Sequence, residues 1–340
     1  MGEVSTVLIT GATGFVGASA LRAARAAGHE VIALGRDAAK AAIFAEDAGV
    51  TFHALDLGAA DAGAALAPLL ARADAVIHAA AAMAGDDAAH RVQTVAPTAT
   101  LLEAMKDGQG AKRLVLVSSF SVYGFAALPD GACLDETTPI EPDPARRDAY
   151  ARAKLAQERL VVEAAQHCGI EAQILRPGAI YGAGRTWSAR LGVAKAGRVL
   201  CIGGDAPVPA VHVDHVGAAL VAAAILPMQA LDDYPVITGA GRIALINIVD
   251  PEPPTQSDWL GAIGKSPVRL PRGLVMKLAK GLGLIGDLWP AFGRRIPTGA
   301  GEAALAARYK PLRYSLARAE DRLDYTPAHG FQDAIKEDRT

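Results

Sequence analysis

The sequence predicts a doubly wound parallel α/β sheet followed by a smaller C-terminal lobe. Three observations carry this. Short, continuously apolar runs of strand length recur along the first half of the chain. Ala- and Leu-rich segments of helical period separate them. After Arg176 the rhythm gives way to irregular stretches rich in proline and glycine. Strands that are apolar throughout belong to sheets buried on both faces, and repeated strand–helix–strand units with right-handed crossovers build such sheets.

The elements follow in order. Residues 4–10 read as a buried strand, and a glycine-rich turn then opens a helix over 15–27. A second strand covers 29–34, a helix 37–48 and a third strand 50–55. Strands over 75–79 and 113–118 come next, with helices over 90–106 and 148–167 and a sixth strand over 171–175. A helix starts near Asp214, its carboxylate serving as N-cap, and runs to residue 225. Residues 1–176 thus make the sheet domain, to which 212–240 return, while 177–211 and 241–340 make the smaller lobe.

Composition narrows the class. Of 340 residues, 51% are hydrophobic and 21% charged, which supplies a sizeable core and excludes a disordered chain. The 34 Lys and Arg balance 36 Asp and Glu, so there is no basic excess to neutralise phosphates and no nucleic-acid partner is expected. No uninterrupted apolar run reaches the ~18 residues that a membrane span needs. A strand pattern beginning at Val4 leaves no room for a leader, which points to a cytoplasmic protein. Cys133, Cys168 and Cys201 are odd in number and far apart, so they form neither a disulfide framework nor a metal knuckle. Asn247 is the single asparagine, so chemistry that recruits asparagine must fall to another residue.

Gly11, Gly14 and Gly17 are spaced G-x-x-G-x-x-G between the first strand and the first helix, with Thr13, Phe15 and Val16 among them. Such a turn aims backbone N–H groups and a helix N-terminus at a pyrophosphate, so a dinucleotide cofactor is expected. Where an acid would hold the ribose 2′-hydroxyl of NAD, at the end of the second strand, stand Gly35 and Arg36. An arginine there pairs with a 2′-phosphate, which favours NADP(H); NAD is the alternative, with Asp37 as the acid. Asp56 and Leu57, after the third strand, suit the adenine edge, although Asp56 serves equally well as a helix cap.

Tyr150 and Lys154 stand at i and i+4 on the helix over 148–167, hence on one face. A phenol with a pKa near ~10 is a poor base at neutral pH, and a nearby ammonium favours its ionised form. A serine from the run 118–124 would hold a substrate oxygen while Tyr150 exchanges its proton. The bland alternative is an amphipathic helix with an incidental aromatic.

Taken together, TGATGFVG at 10–17, SSFSVYG at 118–124, YARAK at 150–154 and RPGAIYG at 176–182 resemble the extended short-chain dehydrogenase/reductase family. VHVDHVG at 211–217 and LDYTP at 323–327 are similar to its later landmarks. The resemblance implies a Rossmann-type fold and NAD(P)-dependent chemistry, as in nucleotide-sugar epimerases and dehydratases, dihydroflavonol-type reductases and 3β-hydroxysteroid dehydrogenases. It implies Ser119 as the catalytic serine, Ser121 as a substrate contact, Tyr150 as acid/base and Lys154 as a holder of the nicotinamide ribose. Ala79, Ala80 and Ala81 would line the cofactor after His78, and Pro177 would face the nicotinamide amide. Two departures stand out: Thr94 occupies a position where the family often has asparagine, and the fourth-strand motif lacks its terminal glycine. The helices over 90–106 and 148–167 resemble the pair that forms the family's homodimer interface.

Other candidates are weaker. His212 and His215 flank Asp214, but no third ligand lies nearby in sequence and no metal is expected. Glu136 reads as part of a substrate-side loop rather than as a base. Residues 270–293 carry an amphipathic pattern that suits core packing, a lid over an apolar substrate or a membrane-surface contact. Arg185, Arg190, Arg198 and Arg269 could instead serve a substrate diphosphate. The expected function is an NADP(H)-preferring oxidoreductase acting on a secondary alcohol or its ketone in a small-molecule, fairly apolar substrate. The alternatives are an epimerase or dehydratase that retains its nucleotide, and a redox sensor, which would have little need of the Tyr/Lys pair.

Overall fold

The computed structural model describes residues 4–44, 46–107, 110–195, 198–203, 205–227, 242–288 and 301–337. Seven parallel strands form the sheet: β1 (Thr6–Thr10), β2 (Glu30–Gly35), β3 (Val50–Ala54), β4 (Ala75–His78), β5 (Arg113–Val117), β6 (Glu171–Pro177) and β7 (Arg242–Ile248). Their spatial order is β7-β6-β5-β4-β1-β2-β3, so the winding reverses between β1 and β4. A crevice opens at the carboxyl ends of the strands at such a reversal, and ligands bind there.

Five longer helices cover the sheet: α1 (Phe15–Ala26), α2 (Ala62–Leu70), α3 (Ala96–Asp107), α4 (Ala149–Cys168) and α5 (Val213–Ile225). Successive strand side chains point to opposite faces. Val7, Ile9 and Val115 therefore pack with Leu21 and Leu220 from α1 and α5. Leu8, Leu114 and Leu116 pack with Leu66, Leu102 and Val161 from α2, α3 and α4. Tyr181, Trp259 and Phe331 centre a third cluster in the smaller lobe, near a three-stranded sheet of Val193–Lys195, Arg198–Ile202 and Pro267–Leu270.

Several elements differ from expectation. The segment 37–48 forms no α-helix; Ala38–Phe44 winds as a 3₁₀ helix. The expected helix over 90–106 begins as Asp87–His90, widens into a π turn at Arg91–Val95 and only then becomes α3. Pro97 explains the widening, since it has no N–H to give to the carbonyl one α-turn back. Helix α2 is absent from the sequence reading because Gly63 and Pro68 obscure its period. Helix α5 is capped by His212, whose Nδ1 accepts the Asp214 N–H at 3.3 Å. The Asp214 carboxylate is drawn away to Ser19 Oγ at 2.7 Å and Arg22 at 3.0 Å on α1. The sequence reading starts the smaller lobe at 241, but β7 pairs along its whole length with β6 and is the edge of the main sheet. Of the expected return over 212–240, residues 228–240 lie outside the described residues.

Arg272–Leu288 is helical, with Val275, Met276 and Ala279 packed near Leu305 and Tyr309 while Leu274 and Leu278 are exposed. The last five residues of the 270–293 pattern lie outside the described residues. Among the described residues, no helix is long and apolar enough to cross a membrane.

A deep ion pair anchors helix α4 to the sheet. Glu158 Oε1 and Oε2 accept from Arg176 Nε at 2.9 Å and Nη2 at 2.7 Å, and the Ser118 hydroxyl also donates to Oε1. Both charged side chains are 1% exposed, and the guanidinium lies 4.8 Å from the Tyr123 ring centroid. Breaking one side of a buried pair strands the other charge, so Arg176→Met should lower the unfolding free energy by about 3–5 kcal/mol in urea titration. The double variant Arg176→Met/Glu158→Leu should recover most of that loss.

Candidate active site

The site begins where β1 ends. Gly11 has φ +67°, a left-handed conformation that suits glycine, and a Cβ there would lie 2.9 Å from Ala80 N. A Cβ on Gly17 would lie 2.1 Å from Gly11 O, so helix α1 can pack against the turn only because residue 17 has no side chain. Gly14 is the N-cap of α1 without any side-chain cap, and the first turn contains no acid. The N–H groups of that turn and the positive end of the helix dipole are thus left for an anion, which fits a dinucleotide pyrophosphate.

Further along the carboxyl edge, a Cβ on Gly35 would meet Thr13 Oγ1 at 3.1 Å, so Thr13 packs at the end of β2. Arg36 is exposed immediately after. Asp37 is engaged locally, accepting the Ala39 N–H at 3.0 Å with Lys40 at 4.0 Å. Asp56 Oδ1 accepts the Gly58 N–H at 3.0 Å, and Leu57 is buried.

A cleft of about 590 Å³ opens beside the turn. Gly11, Gly14, Phe15, Val16 and Gly17 contribute from the turn, and Ala79, Ala81 and Pro177 from the ends of β4 and β6. Ser119, Ser121, Tyr150 and Lys154 all face the same space, as does Arg185. Thr13, Arg36, Asp56, Leu57 and Ala80 stand outside its lining. Of these, Ala80 N donates to Thr10 Oγ1 at 3.3 Å.

Ser119 Oγ accepts the Ser121 N–H at 3.1 Å, and its hydroxyl lies near enough to the Tyr150 phenol to favour the ionised form. Ser121 Oγ is buried without a partner, which leaves it for a substrate group. The sequence reading has Lys154 lowering the Tyr150 pKa. Burial pushes the phenol up, and the Ser119 hydroxyl and Arg185 oppose it. Lys154 Nζ stands 5.9 Å from the Tyr150 ring centroid and donates to Val117 O at 2.7 Å and Gln157 Oε1 at 2.9 Å. Burial draws its own pKa down to about 8, against the pull of Glu158.

Thr94 lies in the π turn, where its Oγ1 accepts the Ala82 N–H at 2.9 Å and braces the segment after β4. Glu136, expected in a substrate-side loop, does not line this cleft. It is buried, accepting the Asn247 N–H at 2.7 Å with Arg318 at 3.8 Å. The fold also supplies the third imidazole that sequence proximity lacked, His329 beside His212 and His215. Both ring nitrogens of His215 are already engaged, with Asp250 Oδ1 at 2.7 Å and the Ala328 N–H at 3.2 Å.

Of the four arginines considered for a diphosphate, Arg185 and Arg190 line the cleft, whereas Arg269 turns to Ser257 at 3.0 Å and Asp205 at 3.6 Å. Sequence reasoning missed Arg147 and Arg308, which also line it. Arg147 is 1% exposed; its Nη1 donates to Tyr123 O at 2.9 Å and its Nε has no partner. The available signal was its position, three residues before Tyr150.

A glycine turn, an uncapped helix and a Ser/Tyr/Lys set around one cleft define a nucleotide-dependent enzyme on a doubly wound sheet. The family model described as "NAD dependent epimerase/dehydratase family" matches residues 7–232, and the chain belongs to that family, as an enzyme of the extended short-chain dehydrogenase/reductase type. It is 34% identical over 292 residues, 80% of this chain and 86% of the relative, to 3-diazoavenalumate denitrifying reductase from Streptomyces sp. It is 29% identical to dTDP-6-deoxy-L-talose 4-dehydrogenase (NAD(P)(+)) from Kitasatospora kifunensis, over 97% of this chain and 93% of that protein. Its fold resembles UDP-glucuronic acid 4-epimerase from Bacillus cereus in complex with NAD, with TM-score 0.66, 19% identity and coverage of 97% and 94% of the two chains.

The Lys154 shift has a consequence for stability. An unfolded lysine titrates near ~10.4, so below about pH 8 the proton is present in both states and the burial penalty is constant. Between those values the unfolded chain holds the proton and the folded one does not, so the penalty is relieved as pH rises. Relative to Lys154→Met, the wild-type protein should gain up to about 3 kcal/mol of unfolding free energy from pH 8 to 10.5, read by urea titration.

Proposed function

We propose that this chain is an NADP(H)-preferring oxidoreductase that transfers hydride between nicotinamide and a secondary alcohol or its ketone, with Tyr150 as acid/base. The observation that carries this is the opening of Ser119, Tyr150 and Lys154 onto the same cleft as the uncapped N-terminus of α1. A bound nicotinamide supplies or accepts the hydride. The N–H groups of the glycine turn hold the pyrophosphate, and the Lys154 hydrogen not given to Val117 or Gln157 donates to a ribose hydroxyl. Ser119 and Tyr150 hold the substrate oxygen, and a proton passes between that oxygen and Tyr150 Oη. A phenol whose pKa is raised by burial is a proton donor at neutral pH, which suits the ketone-reducing direction. The curated relatives, named a reductase and a dehydrogenase, support net redox turnover.

Two further features support the finer reading. Arg36 is exposed at the end of β2, while the Asp37 carboxylate caps its own turn, which favours a 2′-phosphate over a free 2′-hydroxyl. Arg147, Arg190 and Arg308 repel one another around the cleft, and burial lowers the pKa of the first two, so a substrate with a carboxylate or phosphate would relieve them. The same arginines support a second reading, an epimerase or dehydratase acting on a nucleotide sugar and reusing a retained nucleotide.

Tyr150→Phe should lower turnover by about 10²–10⁴-fold while leaving the nucleotide dissociation constant unchanged, measured by NADPH oxidation and fluorescence titration. Unchanged turnover would remove the acid/base assignment. Arg36→Ala should raise KM for NADPH by about 10-fold or more with little effect on KM for NADH. Tight nucleotide found in the purified protein by mass spectrometry, with no net NADPH consumption, would instead select the second reading.

A further inference from the structure

Lys154 and Gln157 lie three residues apart on α4 and so share a face. Gln157 is 1% exposed, and nothing in the family resemblance gives it a role. Its amide has one polar end for each of two neighbours. Oε1 accepts from the Lys154 ammonium at 2.9 Å, and Nε2 donates to Thr98 Oγ1 at 2.7 Å. Reversing the amide would turn its NH₂ against the ammonium, so the lysine sets the orientation.

The donors and acceptors beyond Gln157 then follow one by one. A hydroxyl has one hydrogen and two lone pairs. Thr98 gives its hydrogen to Thr94 O at 2.8 Å. Its oxygen therefore accepts from Gln157 and also from His78 Nε2 at 2.9 Å, which places the imidazole hydrogen on Nε2. His78 Nδ1 is left as an acceptor for the Thr10 hydroxyl at 2.7 Å, and Thr10 Oγ1 accepts the Ala80 N–H at 3.3 Å. Thr10, His78, Thr98, Lys154 and Gln157 are all buried. The chain runs from the ammonium to the residue preceding Gly11 of the phosphate-binding turn.

We propose that Gln157 is a positioning residue for Lys154, held by a buried hydrogen-bond chain through Thr98 and His78 to Thr10, so that the ammonium and the phosphate-binding turn are set by one network. The proposal rests on the reading of Lys154 as part of the reaction. In this chain Thr94 spends its side chain on Ala82, and the single asparagine, Asn247, lies elsewhere, bonded to Tyr123; the glutamine supplies the amide that addresses the lysine. The groups facing Lys154 are few. Glu158, one turn further along α4, attracts it but is committed to Arg176 and Ser118. Tyr150 is on the same helix, and His78 on β4 is kept neutral, its pKa lowered to about 3 by burial and by Lys154 itself. The contact with Gln157 Oε1 therefore stabilises the charged lysine against burial.

The test reads the lysine directly. In full-length protein labelled with ¹³C-lysine, the Lys154 signal is assigned by its loss in Lys154→Arg and titrated by NMR in three versions of the chain. Gln157→Met, close in shape but without the acceptor, should lower the titration midpoint by about one pH unit from the wild-type value, and Gln157→Glu should raise it by at least as much. Thr98→Val, which frees the amide, should lower it by a smaller amount. The high-pH limb of the turnover profile should move in the same order, and nucleotide affinity at neutral pH should stay close to wild type in Gln157→Glu. A midpoint that is the same in the wild type and both Gln157 variants overturns the proposal. Midpoints that move as expected in a protein without NADPH turnover support the positioning role and count against the proposed function instead.

Discussion

The geometry of the cleft depends on where helix α4 lies on the sheet, and a buried ion pair sets that position. Tyr150 and Lys154 occupy its first turns, but hydrophobic contacts alone would let a 20-residue helix slide. Glu158 prevents this by meeting Arg176 bidentately at the end of β6, with Ser118 from the end of β5 as a third partner. Taking two charges out of water costs several kcal/mol per ion, and good geometry offsets that cost without a large surplus. The pair is therefore better understood as fixing the register of the helix than as a source of stability. Ser118 also adjoins Ser119, so the residue that holds the anchor positions a neighbour that lines the cleft.

The same economy recurs around the carboxyl edge of the sheet, where buried polar side chains are gathered into shared networks. Asp250, just past β7, accepts from His212 N at 2.9 Å, His215 Nδ1 at 2.7 Å and Tyr325 Oη at 3.1 Å. This joins the start of α5 to the chain's C-terminal segment and explains VHVDHVG and LDYTP as structural landmarks. Glu136 and Asn247 brace the opposite side in the same manner, with Tyr123 Oη donating to Asn247 Oδ1 at 2.6 Å. Against this background, partnerless groups on the cleft stand out. Ser121 Oγ and Arg147 Nε are such groups, on residues that line the cleft.

Much of this architecture was legible in the chain. The six strands of the reading, the glycine turn and the pairing of Tyr150 with Lys154 on one helix face all appear where period and spacing place them, within a residue or two at most ends. The failures are informative. Helix α2 was hidden by Gly63 and Pro68, and the helix before α3 was interrupted because Pro97 cannot donate. Asp214 was a reasonable cap by residue type, but α1 offered its carboxylate better partners in Ser19 and Arg22. The sequence reading puts 241–340 in the smaller lobe with no strand marked there; the pairing of β7 with β6 joins Arg242–Ile248 to the main sheet.

Hydrophobic period and glycine spacing are properties of neighbouring residues, and they specified the sheet, its helices and the phosphate-binding turn before any distant contact was considered. The partners of buried polar atoms are not local. Thr10 meets His78 across 68 residues, Glu136 meets Asn247 across 111 and Ser19 meets Asp214 across 195. Which donor faces which acceptor is decided when the core closes, because a hydrogen bond demands about 3 Å and a direction, whereas a hydrophobic contact demands only proximity. The Lys154 environment, the arginines of the cleft and the orientation of Gln157 all belong to that second kind of information.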